Sequence, residues 1–80
     1  MDNKELYLKG FSVAEIIRKK HLSDTESIAF IKELTNKDID QHREVMKRRI
    51  TDLYQKGDSV NLINKKTCVS VSVIKKILSI

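Results

Sequence analysis

The sequence predicts an all-α protein of about six helices, built as two tandem copies of a three-helix unit joined by a long central helix. Three observations carry this. Proline is absent, and the two glycines form no Asn-Gly or Asp-Gly hairpin signal. Leu6–Ser23 recurs as Leu53–Ser70, with nine of 18 positions identical at an offset of 47. Between the copies runs a polar stretch with a single apolar stripe at helical spacing.

In the first copy, residues 1–34, Leu6 and Tyr7 belong to a short helix that stops before Gly10. Glycine adopts the left-handed conformation that ends helices without a Cβ penalty. Ser12 caps the next helix, and Ser12-x-x-Glu15 completes a capping box. Val13 and Ile16 then fall on one face, and Ser23 with Glu26 caps a third helix. The copy reads as carrying one extra residue before Ile28, which places Leu6, Val13, Ile16 and Ile28 in its core.

The connector, residues 35–58, reads as one helix from about residue 37 to 56. Thr35 and Asp38 offer a cap, and Ile39, Met46, Ile50, Leu53 and Tyr54 form the stripe. Glu44 with Arg48, and Arg48 with Asp52, stand at i,i+4 spacing. This helix also serves as the first helix of the second copy. In residues 59–80, Ser59 and Ser70 are caps, and Val60, Ile63, Ile74 and Leu78 pack on Leu53 and Tyr54. Tyr7 and Tyr54 are expected at equivalent core-facing sites, so the whole makes one compact domain.

Each copy thus ends in a short helix, a tight turn and a further helix, the dimensions of a helix-turn-helix. The stretch "LYQKGDSVNLINKKTCVSVSVIKKIL" resembles the helix-turn-helix of resolvase/invertase-type recombinases and of small phage and mobile-element regulators. Leu53, Gly57, Ser59, Val60, Ile63, Val69, Ser70, Ser72, Ile74 and Leu78 fit that pattern. Cys68 departs from it where a turn glycine is usual, and Val73 where a threonine is common. The resemblance implies a protein that places its last helix in the major groove of double-stranded DNA.

Charge placement points the same way. Net charge is +5, and residues 59–80 carry Lys65, Lys66, Lys75 and Lys76 without one acid. Ser70 and Ser72 are candidates for phosphates or base edges, Val71 for a thymine methyl, and the four lysines for phosphates. Arg43, Lys47, Arg48 and Arg49 are candidate backbone contacts from the connector. The last helix of the first copy instead opens with Asp24 and Glu26, which repel phosphates.

Other functions find little footing. The one cysteine, Cys68, excludes an internal disulfide, and no apolar run approaches the ~18 residues of a membrane span, so a cytoplasmic location is expected. His21 and His42 have no partners at metal-ligand spacing, and no catalytic constellation is present, so neither an enzyme nor a cofactor is expected. The leading expectation is a small sequence-specific DNA-binding protein, a transcriptional regulator or recombination accessory factor. The alternative is a helical adaptor or antirepressor that keeps the fold without DNA. A homodimer or protein partner is expected through residues 1–34 or the central helix.

Overall fold

Six side-chain acceptors set where the helices begin. In the computed structural model, which describes residues 1–80, Asp2, Ser12, Ser23, Thr35, Ser59 and Ser70 each accept a hydrogen bond from the backbone N–H three residues on. The helices that follow are α1 (Asn3–Leu8), α2 (Val13–Lys20), α3 (Asp24–Glu33), α4 (Asn36–Gln55), α5 (Val60–Thr67) and α6 (Val71–Leu78), and the fold contains no strand. Complete capping boxes form at Ser12–Glu15, Ser23–Glu26 and Thr35–Asp38. The amide of Ser23 holds the Glu26 carboxyl below its ordinary range, and that of Thr35 does the same for Asp38.

Helix ends are equally local. Gly10 (φ +101°) and Gly57 (φ +105°) are left-handed residues after α1 and α4. At each, paired amides reach back to satisfy two helix carbonyls: Phe11 N–H to Leu6 and Gly10 N–H to Tyr7, then Asp58 N–H to Leu53 and Gly57 N–H to Tyr54. No helix is long and apolar enough to cross a membrane.

The apolar side chains gather into two small cores rather than one. Leu6, Tyr7, Ile16 and Phe30 form the first, and Met46, Ile50, Ile63 and Ile74 the second. α4 belongs to both halves. Its N-terminal part covers the first core by stacking His42 on Tyr7 with ring centroids 3.8 Å apart. Its C-terminal part supplies Met46 and Ile50 to the second.

Several expectations about burial are corrected. The residue four past the cap points inward in α2 (Ile16), α5 (Ile63) and α6 (Ile74), each fully buried. In α3 that residue is Ser27, whose hydroxyl donates to the Ser23 carbonyl, and no extra residue intervenes. Ile28 therefore faces solvent at 53% exposure, and Phe30 fills the core instead. Tyr54 is likewise exposed, because Tyr7 owes its burial to His42 and Phe30 and nothing equivalent covers Tyr54. Ile39 on the connector stripe is also exposed. The ion pairs within α4 are the i,i+3 pairs Asp40–Arg43 and Glu44–Lys47, and Arg48 pairs with neither Glu44 nor Asp52.

The two turn glycines are not equivalent in their surroundings. A Cβ on Gly57 meets nothing, whereas one on Gly10 falls 2.9 Å from the Val45 Cγ1 methyl of α4. Gly57→Ala is expected to lose about 1–2 kcal/mol through backbone strain alone. Gly10→Ala is expected to lose a further ~1–3 kcal/mol, since β-branched Val45 has little rotamer freedom to yield. Urea melts of both variants measure the difference, and equal losses would refute the close approach of α1 to α4.

Candidate nucleic-acid interface

The turn between α5 and α6 is three residues long and is tied by side chains on both sides. Cys68, where the sequence lacks a glycine, adopts the left-handed conformation at φ +58°. Its amide donates to the Asn64 carbonyl, and the Asn64 side-chain amide donates to the Val69 carbonyl at 2.6 Å. Thr67, fully buried, donates its hydroxyl to Ile63 and accepts from the Val69 amide. These bonds offset the ~1 kcal/mol or more that a side chain at positive φ costs. Neither Asn64 nor Thr67 carried a sequence signal for this role.

From this turn α6 presents three faces. Ile74 is buried in the second core, with Leu78 half-buried beside it. Ser72, Lys75 and Lys76 lie together on the exposed face, as their i,i+3,i+4 spacing requires. Val73 and Ile77 form the third face, which lines a groove of about 280 Å³ toward the first unit, opposite Tyr7, His42 and Arg43. Ser70 spends its hydroxyl oxygen on capping α6, accepting from the Val73 amide. Val71, a candidate for apolar base contact, is half-buried, and Val73 at 45% exposure is the valine open to solvent.

The basic candidates separate into those that border α6 and those that do not. Lys47 shares a shallow hollow with Val73, Lys76 and Ile77, so α4 and α6 bring two cations together. Arg43, one turn earlier, lines the groove beside Val73 and Ile77. Lys65 is exposed on α5, and Lys66 pairs with Asp58 at 2.8 Å across the length of that helix. Arg48 lies on another flank of α4 with Asp52 and Lys56. Arg49 is committed to partners within the protein. Its guanidinium forks onto the Glu15 carboxylate at 2.6 and 2.9 Å and donates to the Gly10 carbonyl at 3.1 Å, while resting on the Phe11 ring. No carboxylate pairs with Lys75 or Lys76.

Comparison with models of known protein families, with curated proteins and with solved structures finds no match to this chain.

His42 props this arrangement from inside. Its Nε2 lies 3.0 Å from the Phe11 carbonyl, which requires the nitrogen to carry a proton and donate. Burial lowers its pKa from the ordinary 6.5, against the opposing influence of that carbonyl and Glu15. The folded protein therefore holds the ring neutral, whereas the unfolded chain takes up a proton near its ordinary pKa. Stability is expected to be full above the ordinary pKa of 6.5 and to fall as the pH drops through it. The carboxylates of Glu26 and Asp38, lowered from 4.5 and 3.8, titrate below that window. His42→Phe keeps the stack on Tyr7 and should flatten the pH dependence of urea midpoints between pH 7 and 5. An unchanged slope in that variant would show that another group titrates.

Proposed function

We propose that this chain is a small DNA-binding protein whose second helix-turn-helix, α5–turn–α6, docks α6 in the major groove. The observation that carries this is the exposed face of α6: Ser72, Lys75 and Lys76 stand together with no carboxylate paired to either lysine, and Lys47 of α4, 3.9 Å from Glu44, borders the same edge. An α-helix with side chains is about 10–12 Å across, matching a groove about 12 Å wide. In that pose Lys47, Lys75, Lys76 and Lys65 neutralise phosphates, the Ser70 and Ser72 hydroxyls reach phosphate or base edges, and Val73 rather than Val71 meets a thymine methyl. Arg43, which pairs with Asp40, lines the groove beside α6 and joins them from there, and Lys66 does so only by leaving Asp58. Such a chain serves as a regulator of transcription, or as an accessory factor in recombination, in a phage or mobile element.

The first unit presents the opposite character on α3, where Asp24 and Glu26 open the helix and Ile28 and Ile31 are exposed one turn apart. Acids on that first turn suit the helix dipole and exclude phosphates. Those isoleucines favour a contact with a second copy, which also answers a problem of selectivity: one recognition helix spans too few base pairs to outcompete non-specific sites. Two copies then read half-sites about one helical turn apart. The same isoleucines are what favours the second reading, a protein-interaction module without DNA.

Fluorescence anisotropy with duplex DNA at two salt concentrations tests the assignment. Lys75→Ala with Lys76→Ala is expected to weaken binding to every duplex and to reduce the salt slope by about one unit per lost phosphate contact. Asp24→Ala with Glu26→Gln, which preserves the α3 cap, is expected to leave affinity unchanged or slightly higher. Equal effects from the two pairs would refute the division of labour. A folded wild-type protein that ignores duplex at low salt would leave the adaptor reading. Sedimentation of the DNA complex bears on the dimer, which a strict 1:1 complex on one short site at micromolar protein would exclude.

A further inference from the structure

The first unit is electrically neutral in sum, but the fold sorts its charges. Asp24, Glu26 and Glu33 lie on α3 with the single base Lys32, and Lys9 follows α1, which carries Glu5, while Arg18, Lys19 and Lys20 make up the last turn of α2. Lys9, Lys19 and Lys20 line a hollow of about 600 Å³ together with Phe11. Arg18 and Lys19 line a second hollow, again with Phe11. Phe11 and Lys19 are common to both, so four bases occupy one continuous surface. Of its acids, Glu15 is 7% exposed and held in the fork of Arg49, so its charge is answered internally, while Glu5 is exposed on α1 one turn before Lys9.

We infer that this α1–α2 surface is a second contact for duplex DNA, one that grips phosphates without reading sequence. The inference rests on the reading of the chain as a DNA-binding protein and adds a site separate from α6. The chemistry selects phosphates over bases. Lys19 Nζ and Arg49 Cζ lie over the Phe11 ring, 5.4 and 5.0 Å from its centre, so the ring holds cations rather than offering a platform to an unstacked base. No second aromatic residue lines either hollow. Bases in the last turn of α2 also offset the helix dipole. That role does not account for Lys9, which lies outside α2.

The placement suits a duplex already engaged elsewhere. Ser12, at the start of α2, donates to the Thr67 carbonyl at the end of α5. Lys20 closes the same helix eight residues on, ~12 Å farther along its axis. The whole protein is 35 Å in its longest dimension, so the two surfaces are no farther apart than about one turn of DNA.

Lys9→Gln, Lys19→Gln and Lys20→Gln combined are expected to lower the salt slope of duplex binding by about two to three units. Preference among duplex sequences should stay as in the wild type, and so should the weaker binding to a single strand of equal length. Neutralising three exposed lysines elsewhere, Lys32, Lys37 and Lys56, should change the slope by less than one unit. Arginine at positions 9, 19 and 20 should restore the wild-type slope, which excludes a folding defect as the cause. If wild-type protein binds duplex and the glutamine variant keeps its full slope, or the control variant loses as much, the second surface is refuted while α6 stands. If wild-type protein binds no duplex, both readings fall together.

Discussion

The fork of Arg49 on Glu15 is the contact on which the relation between the two halves depends. Arg49 comes from α4, Glu15 from the first turn of α2, and the Gly10 carbonyl between them closes the triangle. From Glu15 the network continues: its carboxylate accepts from the Ser12 amide, and its own amide donates to the Ser12 hydroxyl. That hydroxyl donates in turn to Thr67, the last residue of α5. A chain of charge-assisted and neutral bonds therefore runs from the connector, through the cap of α2, into the turn that aims α6. Removing either ion would strand the other in a largely buried site, which costs more than the pair itself contributes.

The two halves repeat a sequence but not a role. Ser12 and Ser59 are both caps, yet only Ser12 is completed by a glutamate; at the corresponding position after Ser59 stands Leu62, half-exposed on α5. Tyr7 is enclosed by His42 and Phe30, and its partner in the repeat, Tyr54, is not. The first half has become the buttress, held by polar contacts with α4. The second carries the exposed Ser72, Lys75 and Lys76 face of α6. Equal local sequence gives equal helices, and different long-range neighbours give them different surfaces.

That distinction also marks how far the sequence could be read. Caps at Ser12, Ser23, Thr35, Ser59 and Ser70, the glycine turns and the extent of α4 were legible because each depends on residues within four positions of one another. Ile16, Ile63 and Ile74 were legible for the same reason, through spacing from a cap. Ile28 is exposed because cap register, not apolar character, decides which residue of α3 turns inward, and that position falls to a serine able to bond its own helix. Arg49 looked like one more surface base among Arg43, Lys47 and Arg48, and its partners lie 34 and 39 residues away. The juxtaposition of Lys47 with Lys76 was invisible for that reason too.

Because α4 serves both cores, the order of synthesis has a consequence for how the chain reaches its fold. As the polypeptide leaves the ribosome, α1 to α3 emerge first, with every cap in place but with Tyr7 and Glu15 still lacking cover. Asp38, His42 and Arg49, which answer Lys4, Tyr7 and Glu15, arrive on α4. At 6, 8 and 10 residues, α1 to α3 are too short to persist alone, so the nascent first half lacks closure until residue 49 is free of the exit tunnel. By then Met46 has emerged as well, the first contribution to the other core. Closure of one half thus leaves its shared helix already standing as the template on which the next two helices fold.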